Sequence, residues 1–369
     1  MGEKIIYAQD LSVGYEKQAV VSDIAFAVHA GEILTLVGPN GSGKSTLLKS
    51  IVKQLEIVSG TIYLEGQSMS DMKESEIAKR MSILMTERVR PELMTCRDIV
   101  SSGRYPYTGR LGILSDYDWK CVEDAMKLVQ VWDLRDRPFR NISDGQSQRI
   151  MLARAICQEP ELLIMDEPTS FLDISHKLEL LAILKDLVQE KNLAVILSLH
   201  ELDLAQKISD IVLCINHGKV ERSGPPEEVF TSEYIKELYG IENGGYLHQF
   251  GSLELASRHG TPEIFVIAGG GKGISVFRRL QKLGIPFSTG VIHENDQDYP
   301  VAEILGEEVI GAKAFEVIGE EAFARAAQVM KSCGKVICAL DTDDFGTMNE
   351  ANRRLLALAR EEGILIQLP

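Results

Sequence analysis

The sequence predicts an α/β fold in two domains, a larger one built around a phosphate-binding loop and a smaller Rossmann-like one after it. Three observations support this prediction. An apolar strand, a glycine-rich loop and a helix follow one another over residues 32–52. Apolar strands then alternate with helices to about residue 200, which is typical of a mainly parallel sheet with ligands at the carboxyl ends of its strands. After a turn-rich stretch, the alternation restarts at residue 263.

The glycine-rich loop fits the pattern G-x-x-x-x-G-K-[ST], with Gly38, Gly43, Lys44 and Ser45 at its defining positions. The glycines let consecutive backbone N–H groups point inward, and the helix amino terminus adds partial positive charge. Lys44 can reach the β and γ phosphates, and the Ser45 hydroxyl can bind Mg²⁺. The pattern therefore predicts that the chain binds a nucleoside triphosphate.

The segment before this loop, residues 3–37, alternates apolar and polar positions and is predicted to form antiparallel strands. Tyr15 lies just after the first of them. It is either an aromatic residue at a strand edge or a ring that stacks on adenine, because a π-face binds bases with little discrimination. Spacing alone leaves both interpretations open.

The middle of the chain changes from strands to helices interrupted by proline and glycine. A longer amphipathic helix is opened by residues 141–149 and is predicted to end near Gln158, because Pro160 cannot continue it. The other elements expected here are strands at 61–64 and 81–85 and helices at 75–80, 97–102 and 117–131.

Two carboxylates follow the apolar strand at 162–165. Beside a phosphate loop, Asp166 can hold Mg²⁺ and Glu167 can polarise a water molecule for attack on the γ-phosphate. The alternative is a solvated strand end without a chemical role. A helix at 174–189 and an apolar strand at 193–199 lead to His200, which can donate a hydrogen bond to the γ-phosphate.

Composition argues against several classes of protein. The formal charge of −15 is unfavourable for a large nucleic-acid interface, which needs clustered Lys and Arg. The six cysteines form no C-x-x-C pair and are expected to be reduced, buried thiols. The first residues predict a strand and not a secretory signal. No apolar run approaches the ~18 residues that cross a bilayer, so work at a membrane would require another, spanning chain.

Together these motifs resemble the ATP-binding cassette (ABC) ATPases, over about residues 3–240. The most diagnostic is Ile142–Gln146, here called the signature turn, a hydroxyl-and-glycine turn that opens a helix and can form a second γ-phosphate cradle. The resemblance also covers the phosphate loop (Gly38–Thr46), the Asp166–Glu167 strand end, the Ser170–Asp173 loop and His200. It implies a P-loop NTPase domain at 1–240 with a helical subdomain at about 87–158.

The resemblance implies ATP and Mg²⁺ as cofactors, and a head-to-tail homodimer in which the signature turn of one copy acts on the nucleotide of the other. It favours adenine stacking for Tyr15. The implied catalytic residues are Glu167, His200 and Glu87, and the implied metal ligands are Ser45, Asp166 and Glu87. The implied nucleotide-binding residues are Tyr15, Gly38, Asn40, Gly41, Ser42, Gly43, Lys44, Ser45, Thr46, Ser143, Gly145, Gln146 and Asp173.

Two positions depart from the family pattern. Asp144 stands where glycine is commoner, and the flanking Ser143 and Gly145 are expected to keep the signature turn workable. After the strand at 81–85, Glu87 stands where a glutamine is expected, or Thr86 if the register slips. A carboxylate can accept at Mg²⁺ but has no amide N–H to donate to the attacking water. We therefore expect the metal contact to survive and the coupling to a membrane partner to be tuned.

The segments at 100–109, 115–119 and 143–149 resemble the ATPases of importers for iron–siderophore, haem and corrinoid complexes. This implies a peripheral subunit at the cytoplasmic face of the cell membrane, docked on a separate integral permease. An extracytoplasmic substrate-binding protein would be an indirect partner, and no nucleic acid would bind. Two alternatives are a soluble cassette ATPase of DNA repair or translation and a nucleotide-gated sensor.

Residues 241–262 are turn-rich and are predicted to be a linker to a small Rossmann-like domain at 263–369. In this domain, strands are expected at 264–268, 287–292, 308–310, 335–340 and 364–368, and helices at 274–283, 299–305, 320–332 and 349–361.

The loop Gly269–Gly273 of this domain joins a strand to a helix without the G-x-G-x-x-G spacing. Lys272 makes it attractive for an anion, and Glu294, Asp296 and Asp298 could meet a ribose hydroxyl. The alternative is a tight turn whose glycines permit close packing. We hypothesise that the domain is a regulatory sensor of a small molecule.

Overall fold

The computed structural model describes residues 3–85, 91, 93–341 and 345–367. The chain divides into two compact units, Met1–Phe230 and Thr231–Pro369. The division falls before the predicted boundary at 240, because the helix at 232–239 packs on a hairpin that follows it. The predicted linker 241–262 accordingly contains that hairpin and belongs to the second unit.

The first unit contains, among the described residues, a sheet of ten strands. They are β1 (Lys4–Tyr15), β2 (Gln18–His29), β3 (Ile33–Val37), β4 (Ile57–Leu64), β5 (Gln67–Ser68), β6 (Met81–Leu84), β7 (Leu162–Met165), β8 (Ala194–Ser198), β9 (Ile211–Asn216) and β10 (Lys219–Gly224). Their order is β5-β4-β1-β2-β10-β9-β3-β8-β7-β6. Strands β9, β3, β8, β7 and β6 run parallel, whereas β1, β2, β4 and β5 pair antiparallel.

Four helices of this unit begin directly after a residue whose side chain caps them. Thr95, Ser115 and Ser143 form capping boxes, and the Asp173 carboxylate caps the following helix. The helices are α1 (Lys44–Ile51), α2 (Glu74–Arg80), α3 (Cys96–Ser101), α4 (Asp116–Leu128), α5 (Asp144–Cys157), α6 (Ile174–Lys191), α7 (Leu202–Ile208) and α8 (Pro226–Val229).

The core of the first unit lies between α1 and the sheet. Leu47, Leu48 and Ile51 of α1 are fully buried in the same cluster as residues of β1 and β2, including Leu11 and Ile24. Burial of this apolar face holds α1 behind the loop that precedes it.

The carboxyl end of α5 is fastened to neighbouring segments by buried polar contacts. The Arg104 guanidinium is 2% exposed; it donates to Asp118 Oδ1, Glu159 Oε2 and the Cys157 carbonyl oxygen, each at 2.8 Å. The Gln158 amide donates to the carbonyl oxygens of Ala78 and Met81, the latter at 2.8 Å. These bonds join α5 to the turn at 102–107, to α4, and to the junction of α2 with β6.

The second unit contains a hairpin and a parallel sheet among its described residues. Its strands are β11 (Gly244–Leu247), β12 (Ser252–Leu255), β13 (Ile264–Ile267), β14 (Phe287–His293), β15 (Val309–Ala312) and β16 (Val336–Cys338). Its helices are α9 (Ser232–Tyr239), α10 (Gly273–Leu283), α11 (Asp298–Leu305), α12 (Glu320–Cys333) and α13 (Glu350–Glu361). The sheet order is β15-β14-β13-β16, and all its pairs are parallel.

Apolar clusters cover both faces of this sheet, with α12 and α13 on one and α10 and α11 on the other. This is the doubly wound arrangement that the alternating pattern predicts. The strand predicted at 364–368 is instead a single bridge between Leu365 and Val336. Residue 368 lies outside the described part of the chain. Within the described part of both units, no helix is long and apolar enough to cross a membrane.

We expect Arg104→Met to lower the free energy of unfolding of the first unit by about 3–5 kcal/mol, because Asp118 would remain buried without its cation. Chemical denaturation followed by circular dichroism measures this change. Lys127→Ala is the matched control: it removes an exposed pair with Glu123 and is expected to cost less than about 0.5 kcal/mol. Equal losses in the two variants would contradict a special role for the buried pair.

Candidate active site

The phosphate loop lies between β3 and α1, at the carboxyl end of a buried strand. Gly38 (φ 150°) and Gly43 (φ 105°) have backbone conformations that favour glycine. A Cβ on Gly38 would lie 2.1 Å from the Ile215 carbonyl oxygen, and one on Gly43 would lie 2.2 Å from a Val21 methyl group. Both glycines are therefore needed for the loop to pack against β9 and β2.

Lys44 is buried, and its ammonium group is turned back toward the loop. Nζ donates to the carbonyl oxygens of Gly38 at 2.7 Å and Pro39 at 3.0 Å. Burial lowers the pKa of Lys44, and the carboxylates of Glu167 and Asp166 oppose that shift. A phosphate in the curl of the loop would stabilise the charged ammonium further.

The remaining predicted loop residues differ in exposure. Asn40 and Gly41 are exposed, whereas Ser42 and Thr46 are buried. The Ser42 hydroxyl has no hydrogen-bond partner among the described residues. Since a buried polar group without a partner costs free energy, this hydroxyl fits a site for a ligand oxygen.

Asp166 is 7% exposed at the carboxyl end of β7. Its Oδ1 accepts hydrogen bonds from Ser45 Oγ at 3.2 Å and from Ser198 Oγ at 2.7 Å. The Ser198 hydroxyl also accepts the Glu167 N–H at 2.9 Å. Ser45 and Asp166 thus bring together a hydroxyl and a carboxylate, the hard oxygen ligands that suit Mg²⁺.

Glu167 and His200 form a pair beside adjacent strand ends. His200 Nε2 lies 2.5 Å from Glu167 Oε1, and Ser170 Oγ donates to Glu167 Oε2 at 3.0 Å. The two side chains are 27% and 36% exposed. The carboxylate is thus fixed in position yet open to water, which is what a proton acceptor for an attacking water requires.

Asp173 caps the start of α6. Its Oδ1 accepts the His176 N–H and the Ser175 hydroxyl, both at 2.9 Å. These hydrogen bonds, the backbone N–H of His176 first among them, lower the pKa of Asp173 to about 2. Within one copy of the chain, this carboxylate therefore engages its own helix.

The signature turn opens α5. Ser143 Oγ accepts the Gln146 N–H at 3.3 Å, and Gln146 Oε1 accepts the Ser143 N–H at 3.1 Å. In the described part of the chain, no hydrogen bond joins Ser143, Gly145 or Gln146 to the phosphate loop. The structure thus brings together the phosphate loop, both carboxylates and His200, whereas Ser143, Gly145 and Gln146 make no hydrogen bond to the phosphate loop among the described residues.

Two further predicted positions remain. Tyr15 ends β1, and its side chain is 50% exposed, as a ring that stacks on a base must be before the ligand binds. Glu87 and its alternative Thr86 lie outside the described residues, so the structure does not place the substituted glutamine.

Ser198, which was not predicted from the sequence, joins the two carboxylate-bearing positions. Its signal was a polar residue at a buried position of an otherwise apolar strand. Gln148, whose Nε2 donates to the Pro168 carbonyl oxygen at 3.0 Å, and His176 were not predicted either. Their partners are distant along the chain, so spacing could not reveal them.

The glycine loop of the second unit has its amides occupied by carboxylates of the same chain. Asp296 accepts the N–H groups of Gly270 at 2.6 Å and Gly271 at 3.3 Å. Asp298, fully buried, accepts the N–H groups of Gly273 at 2.9 Å and Ile274 at 3.0 Å. These are the donors that an anion would need.

This geometry contradicts the anion-binding interpretation of the loop. Asp296 and Asp298 are also turned to the loop backbone and not outward to a ribose. A Cβ on Gly273 would lie 2.6 Å from the Ala268 side chain, so this glycine permits a close turn. The alternative, a tight packed connection between β13 and α10, agrees with the structure.

Comparisons with known proteins agree with this geometry. The sequence model described as "ABC transporter" matches residues 21–170, and that of the MJ0874 family matches residues 287–368. A protein named as an uncharacterized ABC transporter ATP-binding protein, MJ0873 of Methanocaldococcus jannaschii, is 44% identical over 75% of this chain and 96% of its own length. The iron(3+)-hydroxamate import ATP-binding protein FhuC of Bacillus subtilis is 34% identical over 63% of this chain and 87% of its own.

Solved structures share the fold of the first unit. cbiO1 from Clostridium perfringens, part of the ABC transporter complex cbiONQ, superposes with a TM-score of 0.57 at 25% identity, covering 68% of this chain and 98% of its own. The predicted ABC-type P-loop fold with an additional carboxyl-terminal α/β region is thereby confirmed. Since the chain spans nearly all of a relative with 44% identity, it belongs to the ATP-binding proteins of ABC transporters, the cassettes that bind and hydrolyse ATP.

Proposed function

We propose that the chain hydrolyses ATP to drive uptake of an iron chelate, haem or a cobalamin-type complex through a separate membrane permease. The observation that carries the proposal is the cluster of Lys44, Asp166, Glu167 and His200 at one edge of the sheet, in a chain related to an iron(3+)-hydroxamate import protein. The subunit would lie at the cytoplasmic face of the membrane and meet an extracytoplasmic substrate-binding protein only through the permease.

The residues of the cluster divide the chemistry among them. Lys44 binds the β and γ phosphates and balances their charge. Glu167 accepts a proton from the attacking water. His200 bonds to that carboxylate through Nε2, and it would transfer this N–H hydrogen bond to the γ-phosphate when ATP binds. Ser45 and Asp166 would hold Mg²⁺, which supplies charge neutralisation on the phosphates. Glu87 stays a predicted additional contact to the metal.

The proposal includes a homodimer that holds two ATP molecules between its copies. Among the described residues, Ser143, Gly145 and Gln146 make no hydrogen bond to the phosphate loop of their own copy, which is consistent with their acting on the nucleotide of a second copy. Beside the signature turn, Phe171, Ile174 and Leu178 are 74%, 79% and 53% exposed. Exposed apolar side chains next to the signature turn are typical of a surface that another chain covers.

The permease is proposed to dock on the helical part of the first unit. Within residues 105–119, several large apolar or aromatic side chains are exposed: Tyr105 (76%), Leu111 (83%), Ile113 (71%), Tyr117 (59%) and Trp119 (42%). Aromatic residues are enriched at protein interfaces. We therefore infer that this surface contacts another protein.

We expect Glu167→Gln to reduce the ATPase rate by about 10²-fold or more, because the variant loses the proton acceptor while retaining the phosphate loop. Phosphate release measures the rate, and gel filtration with Mg·ATP is expected to show a trapped dimer. Glu190→Gln, on the exposed end of α6, is the control and should behave as the wild type. A wild-type chain without ATP turnover would favour the nucleotide-gated sensor instead.

We expect Tyr15→Ala to weaken ATP binding by about tenfold, since one stacked base contributes about 1–3 kcal/mol. Titration of the Glu167→Gln chain with a fluorescent ATP analogue measures the affinity without hydrolysis. Tyr15→Trp is expected to retain binding because it keeps the π-face. Unchanged affinity in the alanine variant would show that Tyr15 is only a strand-edge residue.

We expect vesicles containing this chain and the multi-span permease that copurifies with it to accumulate a ferric hydroxamate, haem or cobalamin only when ATP is on the side of the ATPase subunit. Uptake of the three labelled compounds, each with its binding protein, identifies the class of cargo. The Glu167→Gln chain provides the inactive control. If none of the three accumulates although ATP is hydrolysed, the proposed cargo class is wrong while the ATPase assignment stands.

A further inference from the structure

The amino-terminal ends of α5 and α6 contact each other through Gly145 and His176. A Cβ on Gly145 would lie 2.8 Å from His176 Cδ2, 3.0 Å from Cγ and 3.2 Å from Nε2. The imidazole ring therefore lies directly against the Gly145 backbone, and any larger residue at position 145 would collide with it. Gly145 is buried there, whereas the His176 side chain is 33% exposed.

The orientation of this ring is fixed by Asp173. His176 Nδ1 lies 2.7 Å from Asp173 Oδ1, and the same oxygen accepts the His176 N–H at 2.9 Å. The ring is thus held at one edge by a hydrogen bond and on one face by Gly145. Few side-chain rotamers satisfy both contacts, so the ring has a fixed position between Gly145 and Asp173.

Two further contacts join the same segments. Gln148 Nε2 donates to the Pro168 carbonyl oxygen at 3.0 Å, and Arg149 Nη1 lies 3.6 Å from Glu179 Oε2. The first turns of α5 are therefore fastened to residues 168–179 of the same chain, a stretch that includes the Ser170–Asp173 loop.

We propose that His176 is a positioning residue that sets the signature turn at a fixed distance from the Ser170–Asp173 loop of its own copy. Both elements then reach the nucleotide of the other copy as one preassembled surface. This inference rests on the homodimer of the proposed function. It means that ATP-driven closure of the dimer also depends on His176. This residue lies outside the phosphate loop, the carboxylates and the signature turn.

The proposal predicts different effects on ATP binding by one copy and on the association of two copies. A general loss of structure would affect both. The hydrogen bonds described above for Lys44, Ser45 and Asp166 involve the phosphate loop and neighbouring strand ends, and none of those bonds includes His176. Loss of the imidazole should therefore spare the binding of ATP by a single copy. It should weaken only the association of two copies, because the signature turn would no longer be held in place.

The test uses the full chain with Glu167→Gln, so that ATP is not consumed. We expect His176→Ala to leave the affinity of the dilute, monomeric chain for a fluorescent ATP analogue unchanged within about twofold. Dimerisation in Mg·ATP, measured by analytical ultracentrifugation, should weaken by about fivefold or more, the size of coupling expected between residues in contact. His176→Phe keeps a flat ring over Gly145 and should dimerise within about threefold of the parent.

His217→Asn is the matched control, because His217 lies in the exposed turn between β9 and β10 with φ 47°, a conformation that asparagine tolerates. Equal dimerisation of the His176→Ala and parent chains would overturn the inference. So would a parallel loss of monomer ATP affinity or of thermal stability, which would show a general structural role. If the parent Glu167→Gln chain itself does not dimerise with ATP, the homodimer of the proposed function fails, and this inference fails with it.

Discussion

The Asp166 carboxylate is the group on which the geometry of the site depends. A single oxygen, Oδ1, accepts hydrogen bonds from Ser198 at the end of β8 and from Ser45 in the first turn of α1. Because the carboxylate is almost fully buried, it is tolerated only with such partners. The parallel arrangement of β3, β8 and β7 brings their carboxyl ends to one edge, so that these groups can meet. The proposed catalytic pair of Glu167 and His200 is positioned by the same strand ends.

Much of this unit could be predicted from the sequence because its signals are local. The glycines of the phosphate loop, the capping residue Ser143 and the apolar strand before Asp166 each act within a few residues of their own position. The contacts that fix the site are not local. Ser198 meets Asp166, and His176 meets Gly145, through tertiary packing that single-sequence patterns do not encode. The proposed second copy is likewise not encoded in any local pattern, and Glu87 lies outside the described residues.

In the second unit, the alternation of strands and helices could be predicted from the sequence, but the role of the glycine loop stayed open between an anion site and a tight turn. A strand, a run of glycines and a helix are equally the pattern of a phosphate site and of a tight turn. The difference depends on where Asp296 and Asp298 point, and they bond to the loop amides. The hairpin of β11 and β12 was also missed, because its glycine-rich sequence has the composition of a linker although it pairs in regular register.

Helix α5, with 14 residues, is about 21 Å long, and it is anchored at both ends. Gln158 fixes one end to the start of β6, and Gln148 and His176 fix the other beside the Glu167 loop. Because both ends of α5 are held by these contacts, the helix cannot rotate about one end while the other end moves freely. In the proposed transporter, a displacement imposed by the permease near residues 102–107 would therefore be transmitted along α5, and it would move the beginning of α6 together with α5.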